Sequence, residues 1–95
     1  MTPGEELDRA TKAQAVIDSP AFQDAFTAVR GRLMDAMLAV KIEDKEDAED
    51  FRRCIKLLDS LRHELETVIK NGKLAAANIA DLEAKRKNPL RGLFR

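Results

Sequence analysis

The chain has 95 residues, 44% hydrophobic and 36% charged, with four Phe and neither Trp nor Tyr. So few aromatics argue against a small β-sandwich or barrel, while four Gly and three Pro in 95 residues favour long helices. A single domain of this size buries only about 60–65% of its unfolded surface, so its own core is thin, and oligomers or partners often supply the missing burial.

Net charge is zero, but unevenly spread. Residues 1–83 carry 12 basic and 17 acidic side chains, whereas residues 84–95 carry Lys85, Arg86, Lys87, Arg91 and Arg95 and no acid. An acidic body with a basic end is the pattern of an interaction tail. The lone cysteine, Cys54, excludes an internal disulfide. Met1 to Asp18 lacks the apolar core of a signal peptide and meets acids at once in Glu5 and Glu6. No apolar run approaches the ~20 residues of a membrane span.

In chain order, Pro3-Gly4 precedes a first helix over about residues 5–17, whose weak apolar stripe is Leu7, Ala10, Gln14 and Ile17. Ser19-Pro20 is a strong start signal for a second helix, about 20–40. Ser19 serves as N-cap, and Pro20 stands where a missing N–H costs nothing. Phe22, Phe26, Val29, Leu33, Ala36 and Val40 recur at heptad-like spacing along it. After a polar connection, 41–45, Asp44 or a neighbour caps a third helix over about 45–70, with Glu46, Asp47, Glu49 and Asp50 at the positive end of its dipole. Its stripe is Phe51, Cys54, Leu58, Leu61, Leu65 and Val68, widened by Ile55, Leu57 and Ile69. Asn71-Gly72 has the form of a C-cap, glycine being free to adopt the left-handed conformation. That predicts a separate fourth helix, about 73–87, ended by Asn88-Pro89. The expected fold is all-α: a long antiparallel helical hairpin flanked by short N- and C-terminal helices. A single helical domain, 1–87, would be followed by a basic-apolar tail, 88–95. Core and oligomer packing fall to Phe22, Phe26, Val29, Leu33, Leu58, Leu61 and Leu65.

Catalytic and metal chemistry find little footing. His63 is the only histidine; a metal site needs three or four ligands, and Cys54, nine residues away on the same helix, is about 13 Å off. Cys54 on the apolar seam reads as a buried structural thiol rather than a nucleophile. The acids from Glu43 to Asp50 lack the central Gly of a calcium loop and fit helix capping and solubility better. The glycines, at 4, 31, 72 and 92, form no phosphate-binding loop. Gly31, inside the second helix, is either a tolerated exposed glycine or a point of close backbone approach, at about 1 kcal/mol relative to Ala. The chain is expected to be no enzyme and to hold no cofactor.

The C-terminal end carries the clearest functional signal. Lys85, Arg86, Lys87, Arg91 and Arg95 alternate with Leu90, Leu93 and Phe94. Such a segment either folds back on its own domain, stays free, inserts in a groove of a protein partner, contacts nucleic-acid phosphates, or rests weakly on an anionic membrane.

The segments Arg9–Phe26, Ile55–Glu66 and Val68–Ala75, with their helix caps and apolar stripes, resemble small helical tailed-phage and prophage proteins of the virion assembly gene region. The likeness covers about residues 7–76 and omits the tail. It implies a phage context, in the host cytoplasm or the virion, and a structural or assembly role. It supplies no catalytic residues. The expected partners are the protein itself, as a homo-oligomer, and a larger protein such as a virion or packaging component. A small DNA-packaging subunit of the terminase small-subunit kind and a small inhibitor of a host protein are the alternatives.

Overall fold

The computed structural model describes residues 1–87, all of it helix and short connections: α1 (Pro3–Asp18), α2 (Pro20–Ala39) and α3 (Lys45–Lys87). The all-helical expectation holds, and the second helix begins at the expected Pro20. The Ser19 side chain accepts from the Phe22 backbone N–H at 3.4 Å with Pro20 opening the helix. The same device starts α1, two residues earlier than the sequence suggested. The hydroxyl of Thr2 accepts from the Glu5 N–H at 3.2 Å, and Pro3 is the first helical residue. At α3 the Asp44 carbonyl accepts the first backbone bond, from Ala48, and Glu46 and Asp47 occupy the first turn.

Among the described residues three helices are present, not four. The expected break at Asn71-Gly72 does not occur: α3 runs unbroken for 43 residues, and no described glycine has positive φ. The reason lies in what Gly72 faces. It is buried, and a Cβ built on it would overlap the Cβ of Ala10 and lie 3.3 Å from the Glu6 carbonyl oxygen. Gly72 is therefore a point of close approach by α1. Packing gained there offsets the roughly 1 kcal/mol that a helical glycine costs.

The described residues fall into two compact units. One joins residues 1–14 to α3 from Glu66 onward. Its interior is built from small side chains, with Ala10, Ala13 and Ala75 nearly closed to solvent beside Gly72. Of the expected stripe, Ala10 is buried and Ile17 half-buried, whereas Leu7 and Gln14 are exposed; Ala13 is buried in their place and Glu6 half-buried. Close backbone approach favours alanine in the contact and leaves Leu7 at its rim, 40% exposed.

The other unit spans residues 15–65. Here Phe22, Phe26, Leu33 and Met37 of α2 are half-buried, as are Phe51, Leu58 and Leu65 of α3, while Ile55 is buried. The Phe22 and Phe26 rings lie 6.0 Å apart, tilted by 35°. Contacts across the pair run in opposite directions along the two helices. Phe26 meets Arg62, and one turn later Arg30 meets Asp59.

The two helical glycines predict opposite outcomes for one chemical change. Gly72→Ala should destabilise by about 1–3 kcal/mol, because the added methyl has no room. Gly31 is exposed and a Cβ there meets nothing within 4 Å, so Gly31→Ala should stabilise by about 0.5–1 kcal/mol. Urea denaturation of the two variants measures both.

Candidate functional site

The described surface leaves considerable apolar area exposed. Among the described residues, no three His, Cys, Asp or Glu side chains are grouped to hold a metal ion. No described helix is long and apolar enough to cross a membrane. Within the first unit, Met1, Glu6, Arg9, Val68 and Asn71 line a shallow pocket of about 140 Å³. The acids from Glu43 to Asp47 surround a wide depression at the start of α3. Farther along, Glu49 and Asp50 pair with Arg52 and Arg53 one turn on. The Arg52 hydrogen bond holds the Glu49 carboxyl below its ordinary value.

Of the seven side chains expected to pack, Phe22, Phe26, Leu33, Leu58 and Leu65 are half-buried, but Val29 and Leu61 stay 42% and 55% exposed. The apolar stripe of α3 is wider than the face that α2 covers. Ile55, Leu58 and Leu65 turn toward the pair, and the remainder of the stripe is left outside. Cys54 belongs to that remainder: it is exposed, contrary to the buried thiol expected from its place on the seam. Leu57 is 71% exposed for the same reason.

The flanks of the α2–α3 contact differ sharply in character. On one, the Arg30 guanidinium grips Asp59 with both arms, Nε to Oδ1 at 3.0 Å and Nη2 to Oδ2 at 3.3 Å. That hydrogen-bonded pair holds the Asp59 carboxyl below its ordinary value and raises the Arg30 guanidinium. The Arg62 guanidinium lies over the Phe26 ring at 5.3 Å. Neither arginine was singled out from the sequence. Arg30 follows Phe26 by one turn, but its partner is 29 residues away and no local spacing reveals it. The other flank carries Val29, Cys54, Leu57 and Leu61.

At the C-terminal end, Lys85 and Arg86 are exposed helical residues of α3, and Lys85 pairs with Asp81 at 3.2 Å. Lys87 is the last helical residue. The tail residues Leu90, Arg91, Leu93, Phe94 and Arg95 lie outside the described residues. Lys85, Arg86 and Lys87, the first three cations of the expected segment, thus belong to α3, as the expected helix end at residue 87 implied.

No protein-family model matches the chain, and neither does any curated protein or solved structure.

The Arg30–Asp59 pair sets a pH dependence. A carboxyl depressed on folding contributes stability above its unfolded value, about pH 3.9, and loses it as pH falls through the folded value. Asp59→Asn should therefore be slightly less stable than the parent chain at neutral pH. The gap should close below about pH 4 and shrink with added salt, because the pair is exposed. Thermal melts at several pH values and two ionic strengths measure it.

Proposed function

We propose that this chain is a non-enzymatic structural or assembly protein of the tailed-phage kind that its sequence resembles. It acts by packing helices into a homo-oligomer and by docking its basic C-terminal end on a protein partner. The observation that carries the reading is the apolar surface outside the core. Leu57, Leu61, Leu74 and Leu82 along α3 are each more than half exposed, while α2 has no buried residue at all. Monomers that work alone rarely expose large contiguous apolar patches, and Leu57 and Leu61 stand one turn apart on the same side of α3.

In this reading α2 and the first half of α3 form a long antiparallel hairpin, which the opposed order of the Phe26–Arg62 and Arg30–Asp59 contacts supports. The hairpin is a rigid stem for assembly. The basic residues from Lys85 to Arg95 supply charge, and Leu90, Leu93 and Phe94 supply apolar anchors for a groove on the partner. DNA is the second reading, favoured by those five cations without an acid among them.

Removing residues 88–95 should leave helical content unchanged and abolish capture of virion or packaging proteins in a pull-down from infected cells. Unchanged capture would remove the tail from the mechanism. Binding to duplex DNA that falls steeply with salt, and that vanishes on neutralising Lys85, Arg86 and Lys87, would move the role to DNA packaging.

A further inference from the structure

The apolar flank of α3 has an internal symmetry that selects its occupant. At about 100° per residue, Cys54, Leu57, Leu61 and Glu64 fall within an arc of roughly 80° on one side of the helix. Their spacing of three, four and three residues reads the same in both directions about residue 59. Leu57 and Leu61 are 71% and 55% exposed, and Cys54 is exposed. Val29 of α2, 42% exposed, extends the apolar strip across the pair. The opposite flank is closed by the Arg30–Asp59 ion pair, so the strip has one open side.

The border of the strip is charged in a self-complementary way. Arg53 lies just before it and Glu64 at its far end, both exposed. A helix laid against this flank in the opposite direction, centred near residue 59, would set its own Leu61 over Leu57 and its own Leu57 over Leu61. It would also set its Glu64 beside Arg53 and its Arg53 beside Glu64. An isologous two-fold contact needs that reciprocity, residue i meeting j while j meets i. A foreign helix has no reason to share the symmetry of this one.

We propose that a second copy of this chain docks on the flank formed by Val29, Cys54, Leu57 and Leu61, with α3 antiparallel to α3 about a two-fold axis near residue 59. The proposal rests on the homo-oligomer reading above and deepens it by naming the face, the register and the charge pairs. It also gives the exposed leucines and Cys54 a common purpose. Burial against a copy supplies the apolar area that a chain of this size cannot bury alone.

The register is tested by disulfide trapping, with light scattering to give the mass. In the proposed contact Cys54 faces Glu64 of the other copy, while the two Cys54 side chains stand about 15 Å apart, too far to bridge. Within one chain, positions 54 and 64 are equally far apart on a single helix, so a link between them must join two copies. Glu64→Cys should therefore yield a covalent dimer under mild oxidation, whereas the parent chain should not. The parent chain should have the mass of a dimer or an even multiple of it. The double variant Leu57→Lys/Leu61→Lys should fall to half that mass or less with helicity unchanged, and Leu38→Lys, 76% exposed and off the flank, should keep the parent mass.

A monomeric parent chain would overturn the proposal. So would a parent mass that survives the double substitution, or oxidation that links Cys54 to Cys54 and leaves Glu64→Cys unlinked. A monomer that still captures a partner through its tail would refute this interface and spare tail docking. A dimer of the expected register whose capture survives loss of residues 88–95 would do the reverse.

Discussion

The contact between Ala10 of α1 and Gly72 of α3 is the constraint on which the longest element depends. Gly72 in mid-helix is a weakness in itself, with no side chain to pack and a large backbone entropy to lose. Here the missing side chain is what lets the two backbones meet. Ala13 and Ala75 of the same unit are likewise nearly buried methyl groups. Close approach multiplies small dispersion contacts over both backbones, which is how a unit without one large buried side chain holds together. It also lets α3 continue through a dipeptide that commonly ends helices.

The second unit is held differently. Its side chains are large, but α2 covers only part of the stripe that α3 presents, so one line of residues turns inward around Ile55 and another remains in water. The two flanks then diverge. Arg30 and Asp59 line one with an ion pair that contributes little to stability because it is exposed. The other is apolar, with Leu57 and Leu61 left in water. A small chain with a narrow core and a wide apolar stripe leaves on this flank the surface that the proposed second copy would cover.

Much of this was legible in the sequence. Ser19-Pro20 marked the start of α2, and the run from Lys45 with Glu46 and Asp47 marked the start of α3, because capping and dipole signals act within one turn. The heptad-like stripes identified the amphipathic faces. The sequence failed where the deciding partner lies far along the chain. Asn71-Gly72 has the same local signature whether it ends a helix or admits a neighbour, and only Ala10, 62 residues earlier, distinguishes the two. Stripe width reveals how much apolar surface exists but not which part is covered, so the stripe alone points Cys54 and Leu61 inward, although both are exposed. For Arg30 the same distance hid its role, since a charge inside an apolar repeat looks like an exception until Asp59 is brought beside it.

Amide hydrogen exchange through residues 70–78 tests the central claim most directly. If α1 locks a continuous α3 at Gly72, the amides of Leu74, Ala75 and Ala76 are protected as strongly as those of Val68 and Ile69, with no gap at the Asn71-Gly72 step. Rapid exchange confined to residues 72–76 would mean that the helix ends there, and that the close contact with Ala10 does not hold in solution.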